Sequence, residues 1–410
     1  MKITGLRLRQ LSGTLEHEGE FWEERLIRPI DVYPEHAAET AYDGFWHPYK
    51  LGDGRYRMQL VFLEIDTDEG VTGLAGPVAN DVAFVIDTQF RTLLTGEDPL
   101  ATERIWDKMY RDSVHGRKGA TMMAISAIDC ALWDLKGKWA NAPVYRLLGG
   151  PIRTKLPAYA SMLGYSLESE LVTQRVTELR EQGYTATKWF PRGGPIDGKA
   201  GIRRNVELAK TIREAAGPEM DFMLDAWMSW DVPFTVAVAE LVAEYEPRWI
   251  EEPVMPDKIA QCAEIRRRSP VPTATGEHEY TRWGLKQLMD AEAAVVLQPD
   301  TYWAGGISEL AKICAIASTY DIPVIPHGHS VPANVHLSAA LPALSCPMVE
   351  FLVKWNVILQ FFWTEPLVPV DGYVTVPDRP GMGMELDMDK VEEERELDWR
   401  DVPSMTSSTR

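Results

Sequence analysis

The sequence predicts an α/β protein whose larger part is a parallel (β/α)7β barrel, a modified TIM barrel, preceded by a smaller α+β module. Two observations carry this. From about residue 155 onward short β-prone runs alternate with amphipathic helical stretches, and the first 130 or so residues lack that alternation. Length agrees, because 410 residues exceed what a single core usually accommodates.

In chain order, MKITGLRLRQ and MQLVFLEIDTDEGVTG read as antiparallel strands meeting at turns, with helices following near 101–112 and 119–139. Eight β-prone runs come next: KLPAYASM (155–162), TATKWF (185–190), FMLDAW (222–227), RWIEEP (248–253), PTATGEH (272–278), AAVVLQPD (293–300), IPVIPHG (322–328) and MVEFL (348–352). Between them lie helix candidates such as SELAKICAIASTY and LESELVTQRVTELREQG, the latter ending on a glycine suited to a helix stop. Eight strands with seven intervening helices give the barrel, its last helix modified. The stretch EPLVPVDGYVTVPDRPGMGMELD, rich in Pro and Gly, is expected to return to the first module, and the charged tail to be mobile at its end. The expected division is 1–130, 131–355 and 356–410.

Composition narrows the function. With 45% hydrophobic and 25% charged residues the chain is ordinary for a globular protein. It has no apolar run long enough to span a bilayer, and MKITGLRLRQLSG lacks the apolar block of a signal peptide, so a cytoplasmic location is expected. Cys130, Cys262, Cys314 and Cys346 are too dispersed for a zinc or redox motif and are read as buried thiols. A net charge of −19 repels a phosphate backbone and excludes nucleic acid as the expected partner. An anionic small molecule then needs local positive charge in its site, which a divalent metal supplies.

In such a barrel, active groups sit at the C-terminal ends of the strands. Asp225, Glu251 and Glu277 close three successive runs, each 26 residues from the next, one βα unit per step. Three hard oxygen donors at one mouth suit Mg2+. Taken singly, each acid could equally be a helix cap or ion-pair partner; it is the recurrence that points to a shared cation, since like charges in a confined site cannot all stay ionised. Asp300 closes QPD and His327 closes IPHG, and an Asp one strand from a His can hold its tautomer and raise its basicity, making His327 a candidate general base. A capping His beside a structural Asp is the alternative. Glu350 on the eighth run is placed to hydrogen-bond a substrate carboxylate if protonated, or is a buried structural acid.

The order Lys188, Asp225, Glu251, Glu277, Asp300, His327, Glu350, together with AISAIDCALWDLKGK (124–138) and PVYRLLGG (143–150), resembles the mandelate racemase branch of the enolase superfamily over nearly the whole chain. Within that branch GPIDGKAGIRRN, LDAWMSWD, GEHEYT, QPDTYWAGG and DRPGMGMEL resemble the rhamnonate dehydratases. The resemblance implies a capping domain over the barrel, one Mg2+, a homo-oligomer, and abstraction of the proton α to a carboxylate, with a sugar acid of 2R configuration as substrate and a 2-keto-3-deoxy acid as product. This superfamily's use of a Lys or His base with Mg2+ is general knowledge of its chemistry. Where many relatives carry Lys-x-Lys on the second strand, this chain reads Lys188-Trp189-Phe190, which removes the second base that racemization needs. Lys188 is left to neutralise a substrate carboxylate or pair with a barrel acid. An epimerase or one-base cycloisomerase, or a non-catalytic homologue, are the competing readings. Tyr33, His47 and Arg55 fall in loops expected to cover the mouth and choose the substrate; Trp303 is expected to contact it, and Trp227 to form wall. His278 and His329 lie close by, with strand alternation turning His278 away unless its strand has already ended.

Overall fold

A computed structural model of the protein describes residues 1–38 and 48–399. The N-terminal strands β1 (Ile3–Glu16), β2 (Tyr49–Gly52), β3 (Arg55–Thr67) and β4 (Thr72–Val78) form an antiparallel sheet in which β3 pairs with β1, β2 and β4. The alternation in LRLRQL explains it. Leu6 and Leu8 are buried opposite Ile65 and Leu63, while Arg7 and Arg9 on the other face meet Asp66 and Glu64 at 2.6 and 2.7 Å.

The helix Ala120–Trp139 packs on β4, and its burial is nearly continuous because it is covered on several sides. A Cβ on Gly73 would lie 2.2 Å from the Ala131 carbonyl oxygen, so the strand must be side-chain-free there. Two buried acids of this helix tie units together. Asp129 accepts the Ser308 N–H at 2.9 Å, reaching the helix Gly306–Ala317, and Asp134 accepts those of Leu74 and Met382 at 2.9 and 2.8 Å.

The parallel sheet runs through β5 (Lys155–Ser161), β6 (Ala186–Trp189), β7 (Asp221–Asp225), β8 (Trp249–Glu251), β9 (Thr273–Thr275) and β10 (Val296–Leu297), and β11 (Val349–Leu352) closes on β5. The seventh predicted run forms no ladder but a bridge between Leu297 and Val324, with further bonds from the Val324 N–H to Ser345 at 2.8 Å and from the His327 N–H to Pro299 at 3.3 Å. Pro323 and Pro326 flank it without an N–H to donate. One interior layer takes Tyr159, Ala186, Met223, Trp249, Ala274, Val296, Ile325 and Met348, one residue per run, with large side chains facing small ones. This is the expected modified TIM barrel with its α+β companion.

After the barrel, β12 (Tyr373–Thr375) adds antiparallel to β5 and β13 (Glu393–Glu396) pairs with β1. The end of the tail, from residue 400, lies outside the described residues. All four cysteines are buried. No helix among the described residues is long and apolar enough to cross a membrane.

Candidate active site

Asp225 and Glu251 end neighbouring strands in direct register, and Glu277 follows β9 by two residues. All three are buried, and one carboxylate oxygen from each lies within 4.8 Å of the others. The chain turns sharply just beyond them. Trp227 (φ 41°), Met228 (φ 63°) and Glu252 (φ 38°) adopt left-handed backbone that is costly for residues with a Cβ, and the Trp227 N–H donates back to Asp225 at 2.9 Å.

Lys188 on β6 projects into the same space. Its ammonium lies 2.9 Å from Asp225 and 2.8 Å from Glu350 and also bonds Glu251. Burial alone would depress its pKa, yet these carboxylates outweigh it and raise the pKa well above its usual value. Glu251 also accepts from Trp249 and Gln298 at 2.9 and 2.8 Å. Burial, followed by the charge of Asp225, pushes Glu251 up to about 8; burial pushes Glu277 up to about 7 against the opposing pull of His327 and His278, and shifts Asp225 upward against that of Lys188. Three converging buried oxygens that resist ionising together fit a hard divalent cation.

His327 Nδ1 lies 2.6 Å from Asp300 Oδ2, and the other Asp300 oxygen accepts the Tyr302 N–H at 2.6 Å. Asn334 anchors the His327 carbonyl at 2.7 Å. The free Nε2 is 3.3 Å from Glu277, and the Trp303 ring stands 5.0 Å away. Burial opposes protonation of this imidazole, but Glu277, Asp300 and Glu350 outweigh it and push the pKa up to about 10. A cation on Glu277 would cancel the largest of those pulls and favour the neutral form a base requires. Glu350 accepts the Gly328 N–H at 2.9 Å; a Cβ on Gly328 would come within 2.8 Å of its side chain. Burial favours the neutral acid there, but Lys188 and His327 prevail and lower the Glu350 pKa, which makes it an ionised acceptor.

Of these groups Lys188, Asp225, Glu277 and His327 open into a cavity of about 750 Å3, roofed by Trp22, Arg25, Leu26 and Arg28 from the segment after β1 and by Met58 and Leu60 of β3. Residues 45–149 match the mandelate racemase / muconate lactonizing enzyme N-terminal domain, and residues 171–390 the enolase C-terminal domain-like family. An L-rhamnonate dehydratase from Saccharopolyspora erythraea is 33% identical over 380 residues, covering 90% of this chain and 91% of its own. The chain belongs to the enolase superfamily. The rhamnonate dehydratase of Gibberella zeae complexed with Mg superposes with a TM-score of 0.81 at 30% identity, covering 95% of this chain and 96% of that one. The 3,6-anhydro-D-galactonate cycloisomerase of Zobellia galactanivorans does so at 0.74 and 28%, over 96% and 100%.

For a member of this superfamily the mouth also holds residues that the sequence reading set aside. The strand β9 ends at Thr275, and Gly276 (φ 120°) breaks the alternation, so His278 faces the cavity after all. Its Nδ1 is 2.7 Å from Glu252 and its ring packs 5.6 Å from Trp227 and 5.5 Å from Trp303. Burial lowers the His278 pKa, but Glu252 and Glu277 outweigh it, to about 9. Glu252 escaped notice, although it precedes His278 by the same 26 residues that separate the acids. His329 lines the cavity beside Tyr302 and Trp303. Of the cover candidates, Tyr33 is 57% exposed and, like Arg55 at the start of β3, is not part of the cavity wall; Trp303 is. His47 lies outside the described residues. The wall-lining arginines Arg25, Arg28 and Arg57 carried no motif that could have distinguished them.

Proposed function

We propose that the protein is a Mg2+-dependent sugar-acid dehydratase in which His327 performs both proton transfers. The observation that carries this is the His327 imidazole, its Nδ1 committed to Asp300 and its Nε2 3.3 Å from Glu277 of the Asp225–Glu251–Glu277 cluster, nearer than His278 Nε2 at 3.9 Å, while Phe190, just beyond β6, offers no proton-transferring group to the same cavity. The Gibberella zeae relative supports the choice of metal and reaction. Asp225, Glu251 and Glu277 would hold the ion. When bound, it supplies the positive charge that stabilises negative charge developing on the substrate's carboxylate.

His327 Nε2 takes the proton from the carbon α to the carboxylate, and Asp300 keeps that nitrogen free to accept it. The resulting imidazolium returns the proton to the β hydroxyl as the carbon–oxygen bond breaks, water leaves, and the enol becomes a 2-keto-3-deoxy acid. Both transfers occur on one face, so the elimination is syn. Lys188 compensates carboxylate charge, Glu350 accepts a hydrogen bond from the substrate, and Trp303 packs against it.

A one-base cycloisomerization uses the same residues, and the Zobellia galactanivorans relative favours it as the second reading. Incubation with Mg2+ and a panel of sugar acids separates them by mass: dehydration loses one water, and cycloisomerization leaves the mass unchanged. A panel including L-rhamnonate that yields no dehydrated product overturns the first reading.

A further inference from the structure

We infer that Glu23 is a positioning residue that latches the segment roofing the cavity onto the barrel and thereby sets how readily substrate enters. Residues 17–28, after β1, form no ladder, yet contribute Trp22, Glu24, Arg25, Leu26 and Arg28 to the cavity wall. Glu24 pairs with Arg192 at 3.2 Å, but the denser attachment to the barrel runs through the Glu23 carboxylate. Glu23 Oε2 accepts the Ser166 N–H at 3.0 Å and meets the Arg175 guanidinium at 2.7 Å, while Oε1 accepts from Lys354 Nζ at 3.0 Å.

The surroundings make this more than a surface ion pair. Lys354 is 4% exposed, also donates to the Gly164 carbonyl at 3.0 Å, and lies 4.1 Å over the Tyr165 ring, with Arg175 4.8 Å from the same ring. The Glu23 N–H donates to Gly164 at 2.8 Å, and Trp22 packs so closely on Gly164 that a Cβ there would lie 1.6 Å from its ring. Three cavity-lining pieces therefore converge on Glu23: the roof itself, the loop after β5 with Leu163, and the helix Val353–Leu359 with Trp355, Ile358 and Leu359. Neutralising Glu23 leaves Arg175 and Lys354 as neighbouring cations with their shared anion gone, so the contact fails as a unit. Lys188, Asp225 and His327 are buried beneath this roof, so loosening it opens a path to them.

Lys354 supplies a second handle. Burial lowers its pKa and Glu23 raises it, with Arg175 lowering it further, and the balance is about 8. Tyr165, the other titratable group against it, is pushed up to about 12 by burial and stays neutral there. The latch thus loses its buried cation above about pH 8.

The inference requires this cavity to be the reaction site and is independent of which acid reacts. In Glu23→Gln, hydrogen–deuterium exchange of amides 17–28, measured on the Mg2+-loaded enzyme without substrate, should quicken about tenfold. KM should rise about tenfold, with kcat changing less than about twofold. The wild-type KM should climb above pH 8, and Lys354→Arg, which keeps its charge, should flatten that climb. Unchanged exchange in Glu23→Gln, or an unaltered KM climb in Lys354→Arg, overturns the latch. A loosened roof on an enzyme that dehydrates no sugar acid would instead sink the proposed reaction and leave the latch standing.

Discussion

The barrel mouth and the segment that roofs it are built on opposite principles. Lys188, Asp225, Glu251, Glu277, Asp300, His327 and Glu350 lie on or just beyond the ends of barrel strands or runs, each at most 3% exposed. The roofing segment 17–28 has no ladder and is held mainly by side chains, with Arg25 bonded to Asp31 and Glu23 to Lys354, beside the backbone bond from Glu23 to Gly164. Groups whose positions must be held to a fraction of an ångström are placed by backbone shared with their neighbours; groups that only shape a cavity are placed by replaceable ion pairs. The chemistry should therefore be intolerant of change and the substrate choice permissive.

The largest effect is expected at the base. His327→Asn should lower turnover by roughly 10³- to 10⁴-fold and abolish exchange of the substrate α proton with deuterated solvent, and Asp300→Asn should lower both less, by mispositioning the ring. Exchange persisting near the wild-type rate in His327→Asn would mean that another group, His278 first, is the base. Chelation should likewise abolish turnover, with Mg2+ restoring it; activity surviving exhaustive chelation would detach the carboxylate cluster from catalysis.

A smaller effect tests whether the barrel's buried polar groups set its stability. His336 is buried, accepts the Tyr145 N–H at 3.2 Å, and is lowered by burial to about 4. Its folded pKa lies below the unfolded value near 6.5, so the unfolded chain binds the proton first. Stability from this group is complete above pH 6.5 and is lost as pH falls toward 4, by up to about 3 kcal/mol. His336→Gln should flatten that part of the urea-midpoint profile, and an identical slope in the variant would place the acid sensitivity elsewhere.

Smallest, and on the other side of the comparison, replacing the segment from about 25 to 60 with that of a relative should change the ratio of kcat/KM between sugar acids by about ten- to a hundredfold, with α-proton exchange retained for any acid still bound. An unchanged substrate profile would shift specificity to the barrel side of the cavity, where Trp303 and, on the helix Val353–Leu359, Trp355 line the wall.

By itself, the amino-acid sequence determined the barrel and the places of Asp225, Glu251, Glu277, Asp300 and His327. A βα unit repeats with near-constant length, so residues one period apart at strand ends converge without knowledge of packing. The same regularity hid its own exceptions. Only the tertiary structure decided that the seventh run would shrink to one bridge between prolines, and that β9 would stop at Thr275 and Gly276 would turn His278 inward onto Glu252. The roof was the least legible part. Trp22, Glu23 and Arg25 lie in a segment without periodicity, and their partners Gly164, Lys354 and Asp31 are set by long-range docking and local turns that no spacing encodes, while Tyr33 and Arg55, expected from their place in the covering loops to meet the substrate, stand outside the cavity wall.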